Sequence, residues 1–446
     1  MSVLEELVRR GRHGPRTAGP DIRSRAALHI LDTLGCVVAG ASHPLAAQLA
    51  TFTARTGDTG ELCTPAMAGT HSPRTAVLME SVLAHADEYD ALHPAAAVIP
   101  AAVVVPAALA VADREGLPGS AVTDAVITGY EVVVEAGLRF GGPSLYGRAW
   151  WPTAVFGALG SAAAVAHLLR LDEEETIASL GLAAAGLGGL LSADELGAGH
   201  YLLAGRAAAD GMEAAYLARA GARASRTLLD QPAAAALGAG AAAPSPEGQP
   251  HLADCVFKAY PCARPLHAAL EALDTLADRG LPLHAARRME ILLPAALLRF
   301  VTADRAPAGP TEAAASAAFA VAAWLHGAAG DVAFFRGTLP EDAPEVVLGH
   351  APALDSGLPD HWGARVLVDL ADGRRVEQEI VSAGGGAAGA TPTEAVTAKF
   401  RRQTGADEDD PDWARWIERC LTLDTVPDIG DLRRDLCRLG RKPRRP

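Results

Sequence analysis

The chain has 446 residues, of which 50% are hydrophobic and 5% aromatic, and its formal net charge at pH 7 is −14. This length predicts two domains, with three as the alternative, and the small-residue composition favours cores of closely approaching helices. The acidic balance argues against nucleic acid as a partner, because contact with phosphates needs a basic face. Six scattered cysteines without a CxxC pair indicate neither a disulfide scaffold nor a zinc ribbon.

The beginning of the chain, MSVLEELVRRGRHG, lacks the apolar core of a signal peptide and predicts a short amphipathic helix. Residues 95–112 form an apolar run of about the length of a membrane span, but Pro100 and Pro106 interrupt it. The run is rich in alanine and follows a cluster of ionisable residues, so we expect a buried helix and no membrane contact. The sequence therefore predicts a soluble, cytoplasmic protein.

Up to about residue 230 the apolar residues recur at helical spacing, with Gly and Pro between the helices. Residues 120–140 predict a long helix with Ser120 as its N-cap. Residues 151–169 predict another, in which Pro152 takes the favoured first-turn position and two glycines leave a flat surface for a neighbouring helix. This part of the chain is typical of an all-helical domain.

The pattern changes after about residue 268. Residues 231–250 are low in complexity and predict a mobile surface loop. Beyond them, RRMEILLP is typical of a strand, PTEAAASAAFAVAAWLHGA of a helix, and ARVLVDLADGRRVEQEI of two strands joined at Asp372-Gly373. Residues 268–390 therefore predict a smaller α+β domain. Residues 391–446 return to helix and are predicted to pack on residues 1–267, the large helical domain.

The polar stretch HADEYDALHP, residues 85–94, lies between two apolar segments. Burying its histidines and acids is costly unless something uses them. Three interpretations are open: a metal site, an acid/base constellation and a structural polar turn. We favour the acid/base interpretation over a metal site, because no distant third group of metal ligands is evident. An acid such as Asp90, held near His93, would fix the tautomer of that imidazole and raise its basicity.

Seven stretches, in order and nearly end to end, resemble the MmgE/PrpD family, which includes 2-methylcitrate dehydratase, cis-aconitate decarboxylase and some epimerases of small carboxylic acids. The resemblance implies a large discontinuous helical domain with an inserted α+β lid domain, usually in a homodimer. It also implies an active site between the two domains that needs no metal and no organic cofactor. The stretches are ILDTLGCVVAG (30–40), residues 85–110, GYEV (129–132), WPTAVFGALGSAAAVAHLLRLD (151–172), AGRAAADGMEAAYLA (204–218), FKAYPCARPLHAALEAL (257–273) and TAKF (397–400).

Several functional residues carry over from the family onto matching positions. Glu88 and Asp90 match an acidic pair, with Glu88 standing where aspartate is common and Ala91 replacing a further aspartate. His93 matches the family's active-site histidine before proline. Lys258, in KAYPC, matches a lysine that binds a substrate carboxylate, which it would do as a point charge.

Two positions depart from the family pattern. Trp151 stands where the family has the histidine of a His-Pro-Thr motif, and His200 stands where a lysine is expected. Leu203 also replaces a histidine. Trp151 either forms an apolar wall of the site or packs with Trp150 at the domain interface, whereas His200 offers a titratable group in place of a fixed cation. Fewer cations predict a substrate less charged than 2-methylcitrate, with an apolar portion that faces Trp151.

Other candidates come from single positions in these motifs. Arg206 follows Gly205 at a predicted helix start, where it either binds an anion with the help of exposed N–H groups or pairs with a surface acid. Tyr89 and Tyr260 are assigned to substrate binding. Cys262 has no basic partner nearby in sequence, so buried packing is expected for it.

The resemblance thus implies a cofactor-independent lyase of the dehydratase or decarboxylase type, which abstracts a proton beside a carboxylate. The alternatives are an epimerase or isomerase that uses His93 and His200 on opposite faces of one carbon, a cyclase with the same carbanion chemistry, and a catalytically silent binding protein. The expected partners are a small carboxylate and a second copy of the chain. The predicted catalytic residues are His93, Glu88, His200 and Lys258, and the predicted substrate-binding residues are Asp90, Tyr89, Trp151, Arg206 and Tyr260, with no metal ligand.

Overall fold

The computed structural model describes the chain in two compact units. The first unit comprises Met1–Ala86, Asp90–Cys255 and Pro392–Pro446, and the second comprises Asp87–Tyr89 and Val256–Thr391. The second unit thus includes residues 256–267, which the sequence pattern assigned to the helical domain. Much of the predicted 231–250 loop and the end of the basic tail lie outside the described residues, which are 1–191, 198–230, 235, 237–238, 241–246, 248–384 and 390–440.

The first unit is built almost entirely of helices, numbered here in chain order, so the predicted mainly-α class is confirmed. Seven of these helices begin with proline, whose fixed φ suits the first turn, and Ser2 and Glu5 form a capping box at the first helix. The helices are α1 Val3–Thr17, α2 Pro20–Gly40, α3 Pro44–Thr56, α4 Pro73–His85, α5 Pro100–Arg114, α6 Gly119–Arg139, α7 Pro152–Leu168, α8 Glu173–Ala185, α9 Ala198–Arg219, α14 Pro392–Thr404, α15 Pro411–Leu421 and α16 Ile429–Leu439.

Helix α7 lies at the centre of this unit and packs against α5, α6, α8 and α9. Its glycines permit the close approach that the sequence predicted. A methyl group at Gly157 would lie 2.9 Å from a methyl of Val103, and one at Gly160 would lie 2.8 Å from Cβ of Val133. Small residues at helix crossings therefore replace large side chains as the means of filling this core.

Helix α5 contains most of the apolar run at 95–112 and is buried along nearly its whole length, as predicted. Among the described helices, none is by itself long and apolar enough to cross a membrane; α2 and α3 meet that test only as a pair bent by 79°.

Two local details of the first unit differ from the prediction. Helix α6 takes Pro118 as its N-cap, so Ser120 is the second helical residue. The amide of Gly119, one of the first N–H groups that have no partner within the helix, donates to the Val426 carbonyl at 2.8 Å. A short antiparallel hairpin, β1 Leu62–Thr64 with β2 Met67–His71, also interrupts the helical pattern.

The second unit contains a four-stranded mixed sheet in the order β4-β3-β5-β6. Three of its strands were predicted, and the β5–β6 hairpin turns at Gly373, whose φ of 86° suits glycine. The fourth strand, β4, pairs in parallel with β3 and was not predicted. The strands are β3 Arg288–Leu293, β4 Glu345–His350, β5 Ala364–Asp369 and β6 Arg375–Ile380.

Helices cover this sheet and complete a separate apolar core. They are α10 His267–Asp278, α11 Pro310–Ala315, α12 Ala317–Leu325 and the short α13 Val332–Phe335. The inward residues of β5, Val366 and Val368, are fully buried with Leu270 and Phe319 in one cluster. The single helix predicted for 310–328 is broken at Ser316, because the hydroxyl of Ser316 caps α12 by accepting from the Phe319 amide at 3.3 Å.

Candidate active site

A row of three buried polar side chains joins distant parts of the first unit. The imidazole of His85, the last residue of α4, has Nδ1 3.0 Å and 3.2 Å from the two carboxylate oxygens of Asp90. Its Nε2 lies 3.1 Å from Nε2 of His200, which belongs to α9. His85 and Asp90 are fully buried, whereas the relative exposure of His200 is 8%. His200 is therefore the end of the row through which a proton can be exchanged.

The hydrogen bonds of this row determine where its protons lie. A carboxylate accepts only, so Nδ1 of His85 carries a proton and donates it to Asp90. With His85 neutral, its Nε2 has a lone pair and accepts the Nε2–H of His200. The proton of neutral His200 is then on Nε2, and Nδ1 of His200 is the basic atom. If His200 becomes an imidazolium, the positive charge is stabilised through His85 by the carboxylate of Asp90.

Aromatic rings enclose the two histidines. Trp151, immediately before α7, has its ring centroid 3.9 Å from that of His200, and it stacks on His85 at 5.4 Å. Tyr201 approaches both histidines edge-on at 5.3 Å. The backbone N–H of Trp151 donates to the Gly189 carbonyl at 2.9 Å, which helps to fix the position of the indole. Trp151 is thus in contact with both histidines of the row.

Asp90 orients His85 and not His93, which is a correction to the expected pairing. The sequence contained one sign of this arrangement, since His85 is the first residue of the stretch HADEYDALHP. It did not show that His85 would face His200, 115 residues later. His85 is accordingly the main site residue that sequence reasoning missed.

His93 lies in a different environment of the same unit. Its backbone N–H donates to the Val98 carbonyl at 2.9 Å, and its Nδ1 accepts the Ala96 N–H at 3.1 Å. Burial, together with the charge of the nearby His251, lowers the pKa of His93 to about 4. Because Nδ1 is an acceptor, the neutral ring carries its proton on Nε2. At neutral pH, His93 is therefore suited to donate a hydrogen bond and is a weak base.

We expect the substitution His93→Asn to flatten the pH dependence of stability in acid. A histidine with a folded pKa of about 4 and an ordinary value of 6.5 resists protonation only while folded, so its contribution is present above pH 6.5 and is lost as the pH falls towards 4. The loss amounts to about 3 kcal/mol of unfolding free energy. The side-chain oxygen of asparagine can still accept the Ala96 N–H, but the asparagine side chain does not take up a proton in this pH range.

Urea unfolding between pH 7.5 and 4 measures this difference. The stability of His93→Asn should fall by about 3 kcal/mol less than that of the natural chain over this range. The exposed His284, changed to Asn, serves as the matched control and should follow the natural chain. If the unfolding free energies of His93→Asn and the natural chain fell in parallel with pH, the lowered pKa of His93 would be contradicted.

One group of potential metal ligands lies around His93. One nitrogen each from His93 and His251 and a carboxylate oxygen of Asp254 lie within 4.8 Å of one another. His251 has Nε2 2.9 Å from Glu135 Oε2, a pattern also found behind metal-bound histidines. However, a ligating imidazole needs a lone pair, and the lone pair of neutral His93 is on Nδ1, where it accepts the Ala96 N–H. The arrangement therefore favours a hydrogen-bonding role for His93 over metal ligation.

Lys258 and Glu88 form an ion pair within the second unit. The ammonium of Lys258 donates to the Glu88 carbonyl at 2.6 Å and to its carboxylate at 2.9 Å. Lys258 is only 3% exposed. An ammonium has three N–H donors, so the third is available in principle to another acceptor. The two predicted residues are thus brought together, although in this structure they neutralise each other's charge.

The other predicted residues of the second unit differ in their surroundings. The hydroxyl of the buried Tyr89 donates to the Ala259 carbonyl at 2.9 Å, beside Lys258. The hydroxyl of Tyr260 instead donates to Asp274 at 2.9 Å, and burial with that carboxylate raises the pKa of Tyr260 well above its usual value. Burial also raises the pKa of the Cys262 thiol to about 12, which agrees with a packing role.

Backbone strain is concentrated next to the predicted site residues. Within the described part of the chain, four residues other than glycine have a positive φ. They include Glu88 itself at 52°, Ala97 at 53°, which follows the turn at His93, and Ala149 at 62°, two residues before Trp151. Such conformations cost about 1 kcal/mol or more each and cluster at functional sites. This distribution supports a functional role for the surrounding residues.

The prediction that Arg206 lies at the start of a helix is wrong. Helix α9 already contains Ala198, so Arg206 is an interior residue whose neighbouring N–H groups belong to the helix. Its side chain is exposed. A helix-start anion site is therefore not available at this position.

The comparisons with known proteins agree on one family. Residues 13–240 match the model of the MmgE/PrpD N-terminal domain. The chain is 26% identical over 455 aligned residues to a cis-aconitate decarboxylase-like protein, oryM, of Aspergillus oryzae (strain ATCC 42149 / RIB 40), covering 94% of this chain and 93% of that protein. It is also 25% identical over 277 residues to a cis-aconitate decarboxylase of Aspergillus terreus, covering 58% of this chain and 56% of that protein. With half of the chain matched by the family model, this protein belongs to the MmgE/PrpD family.

Proposed function

We propose that this protein is a lyase of the dehydratase or decarboxylase type, which acts on a small carboxylic acid by proton transfer beside a carboxylate. The observation that carries the proposal is the buried row Asp90–His85–His200, since a carboxylate behind two hydrogen-bonded imidazoles is an arrangement suited to accepting a proton. The names of both relatives, which contain cis-aconitate decarboxylase, support the same class of chemistry.

In this mechanism His200 is the general base. It takes a proton on Nδ1 from a carbon next to a carboxylate, and the resulting imidazolium is stabilised through His85 by Asp90. Trp151 and Tyr201 keep water away from the histidines, which strengthens these charge interactions.

Lys258 and His93 are proposed to act on the substrate's charged groups. Lys258 offers a carboxylate a fixed positive charge, and the strained backbone at Glu88 holds the acid that orients this ammonium. His93 donates Nε2–H as a neutral hydrogen-bond donor, because its pKa of about 4 leaves it uncharged near pH 7. A base, a donor and a cation are thus all supplied by side chains, and we propose that the reaction needs no cofactor.

The substrate is proposed to be a mono- or dicarboxylate with an apolar portion. Trp151 lies against His200 where the family has a histidine, and His200 itself replaces a lysine, so two potential partners of negative charge are lost. Each missing charge-assisted hydrogen bond weakens binding by about 1.5–3 kcal/mol. A tricarboxylate such as 2-methylcitrate should therefore bind poorly.

The two-base epimerase loses support from the geometry of His93. Epimerisation needs a good base on each face of one carbon, whereas the lone pair of neutral His93 accepts a backbone N–H and its pKa is about 4. The family resemblance also predicts a homodimer, and the patterns at residues 1–14 and 95–112 predict a cytoplasmic location. Both stay predictions.

Proton NMR in deuterated buffer tests the proposed chemistry. The purified chain is incubated with 2-methylcitrate, cis-aconitate and simpler hydroxy and unsaturated mono- and dicarboxylates. Deuterium entering beside a carboxylate, with loss of water or carbon dioxide, is the expected result for a mono- or dicarboxylate. Exchange without any elimination would favour an isomerase. The absence of exchange with every acid would contradict the proposal, and ready turnover of 2-methylcitrate would contradict the proposed substrate class.

Replacing Lys258 with Met should lower kcat/KM for the active acid about 10- to 150-fold, mainly through KM, because one charge-assisted contact to a carboxylate is lost. The double variant Lys258→Met/Glu88→Gln separates this role from simple charge balance, since it removes both charges of the ion pair. If Lys258 only neutralises Glu88, the double variant regains activity; if Lys258 binds the substrate, activity stays low. Steady-state kinetics of the three proteins decide between these outcomes.

A further inference from the structure

The six cysteines fall into two groups by environment. Four of them are almost completely buried, and burial raises the pKa of each thiol well above its usual value, so they are inert towards oxidants. They are Cys36, Cys255, Cys262 and Cys420. The other two, Cys63 and Cys437, lie together in the first unit, with their sulfur atoms next to each other.

The sulfur atoms of Cys63 and Cys437 are 2.6 Å apart. A disulfide bond measures about 2.0 Å, so a shift of roughly half an ångström would bring the two atoms to bonding distance. Cys63 is in strand β1 and Cys437 is in the last helix, α16, 374 residues later. A covalent bond between them would tie the end of the described chain to the β1–β2 hairpin.

The surroundings make Cys63 the more reactive of the two. Cys63 is half-buried, whereas Cys437 is only 6% exposed. The hydrogen bond donated by Cys437 lowers the pKa of Cys63 below its usual value, with help from the charge of Arg433. The guanidinium of Arg433 also donates to the Cys63 carbonyl at 3.0 Å, which holds the strand beside the helix. The same hydrogen bond raises the pKa of Cys437.

We propose that Cys63 and Cys437 form a site of reversible oxidation, at which a low-molecular-weight disulfide converts the two thiols into one disulfide within the chain. This site is separate from the proposed catalytic chemistry and does not depend on it. Cys63 is the attacking thiol, and Cys437 is the resolving thiol.

The exchange proceeds in two steps that balance. The thiolate of Cys63 attacks one sulfur of the oxidant RS–SR, which gives a mixed disulfide on Cys63 and releases RS⁻. The first step consumes the Cys63 thiolate, to which Cys437 had donated its hydrogen bond. Cys437 can therefore lose its proton, and its sulfur attacks Sγ of Cys63. A second RS⁻ leaves. Two electrons pass from the cysteine pair to the oxidant, and the two thiol protons end on two molecules of RSH.

Oxidised glutathione is the probe for this site. The full chain is equilibrated in glutathione buffers from reducing to oxidising, alkylated with iodoacetamide and digested with trypsin without reduction. Cleavage after Arg434 and Arg438 releases Cys437 in the peptide DLCR. We expect this peptide to be linked to the one that contains Cys63, and the melting temperature to be higher in the oxidised protein.

Single variants test the order of the steps. In Cys437→Ala, Cys63 should accumulate as a mixed disulfide with glutathione, because no resolving thiol is present. In Cys63→Ala, Cys437 should stay reduced, and the control Cys420→Ala should form the same link as the natural chain. Alkylation of both Cys63 and Cys437 in the most oxidising buffer would overturn the proposal. So would glutathione retained on Cys63 of the natural chain, or a link to any of the four buried cysteines.

Discussion

Replacing Asp90 with asparagine should lower kcat by about 10²- to 10⁴-fold while KM changes little. The asparagine side chain is neutral, so it cannot stabilise an imidazolium at His200 through His85. If its NH₂ group faces His85, the tautomers of the row also reverse. His85 then donates from Nε2, and the proton of His200 moves to Nδ1, the atom that must accept one.

Two measurements check this prediction. Kinetics with the acid identified by deuterium exchange give kcat, and ¹⁵N spectra of labelled histidine report which ring nitrogens are protonated, whether or not a substrate is present. The matched control is Asp58→Asn, since Asp58 also faces a histidine, His71, at 3.4 Å but lies outside the candidate site. Its kcat should equal that of the natural chain. A folded Asp90→Asn protein with kcat within tenfold of normal would show that the row has no catalytic role.

The largest expected effect on stability is that of Arg433→Met, which should lower the free energy of unfolding by about 3–5 kcal/mol. The guanidinium of Arg433 binds both carboxylate oxygens of Glu80, at 2.9 Å and 3.1 Å, and Asp113 at 3.1 Å. The side chains of Arg433 and Glu80 are 2% and 1% exposed. Methionine would leave the charge of Glu80 buried without its cation, and burial alone already raises the pKa of this carboxyl group.

The neighbouring arginine supplies the control. Arg434 is 58% exposed and pairs with Asp431 at 2.8 Å, so Arg434→Met should cost less than about 1 kcal/mol. The double variant Arg433→Met/Glu80→Leu should be more stable than Arg433→Met, because it leaves no lone carboxylate in the interior. Urea unfolding followed by circular dichroism measures all four proteins. Equal losses for Arg433→Met and Arg434→Met would contradict a buried ionic network.

Much of the fold is predictable because local sequence specifies it. The β5–β6 hairpin follows from alternating residues around Asp372-Gly373, and α7 follows from Pro152 and an apolar run of helical length. Strand β4 was missed because EVVLGH ends in a glycine and a histidine, so its pairing with β3 stabilises it more than its own residues do. The break at Ser316 depends on a cap that competes with helix continuation.

The sequence by itself determined the family and the mainly-α class, and it predicted His93, Glu88 and Lys258 as site residues. Only the tertiary structure decided which groups share a proton. Asp90 could have oriented either nearby histidine, and His200 comes from a helix more than a hundred residues away. Hydrogen-bond partners are set by packing to within a few tenths of an ångström, whereas residue spacing specifies which side of a helix or strand a group lies on. For this reason the pairing of Asp90 with His85, and of His85 with His200, required the folded chain.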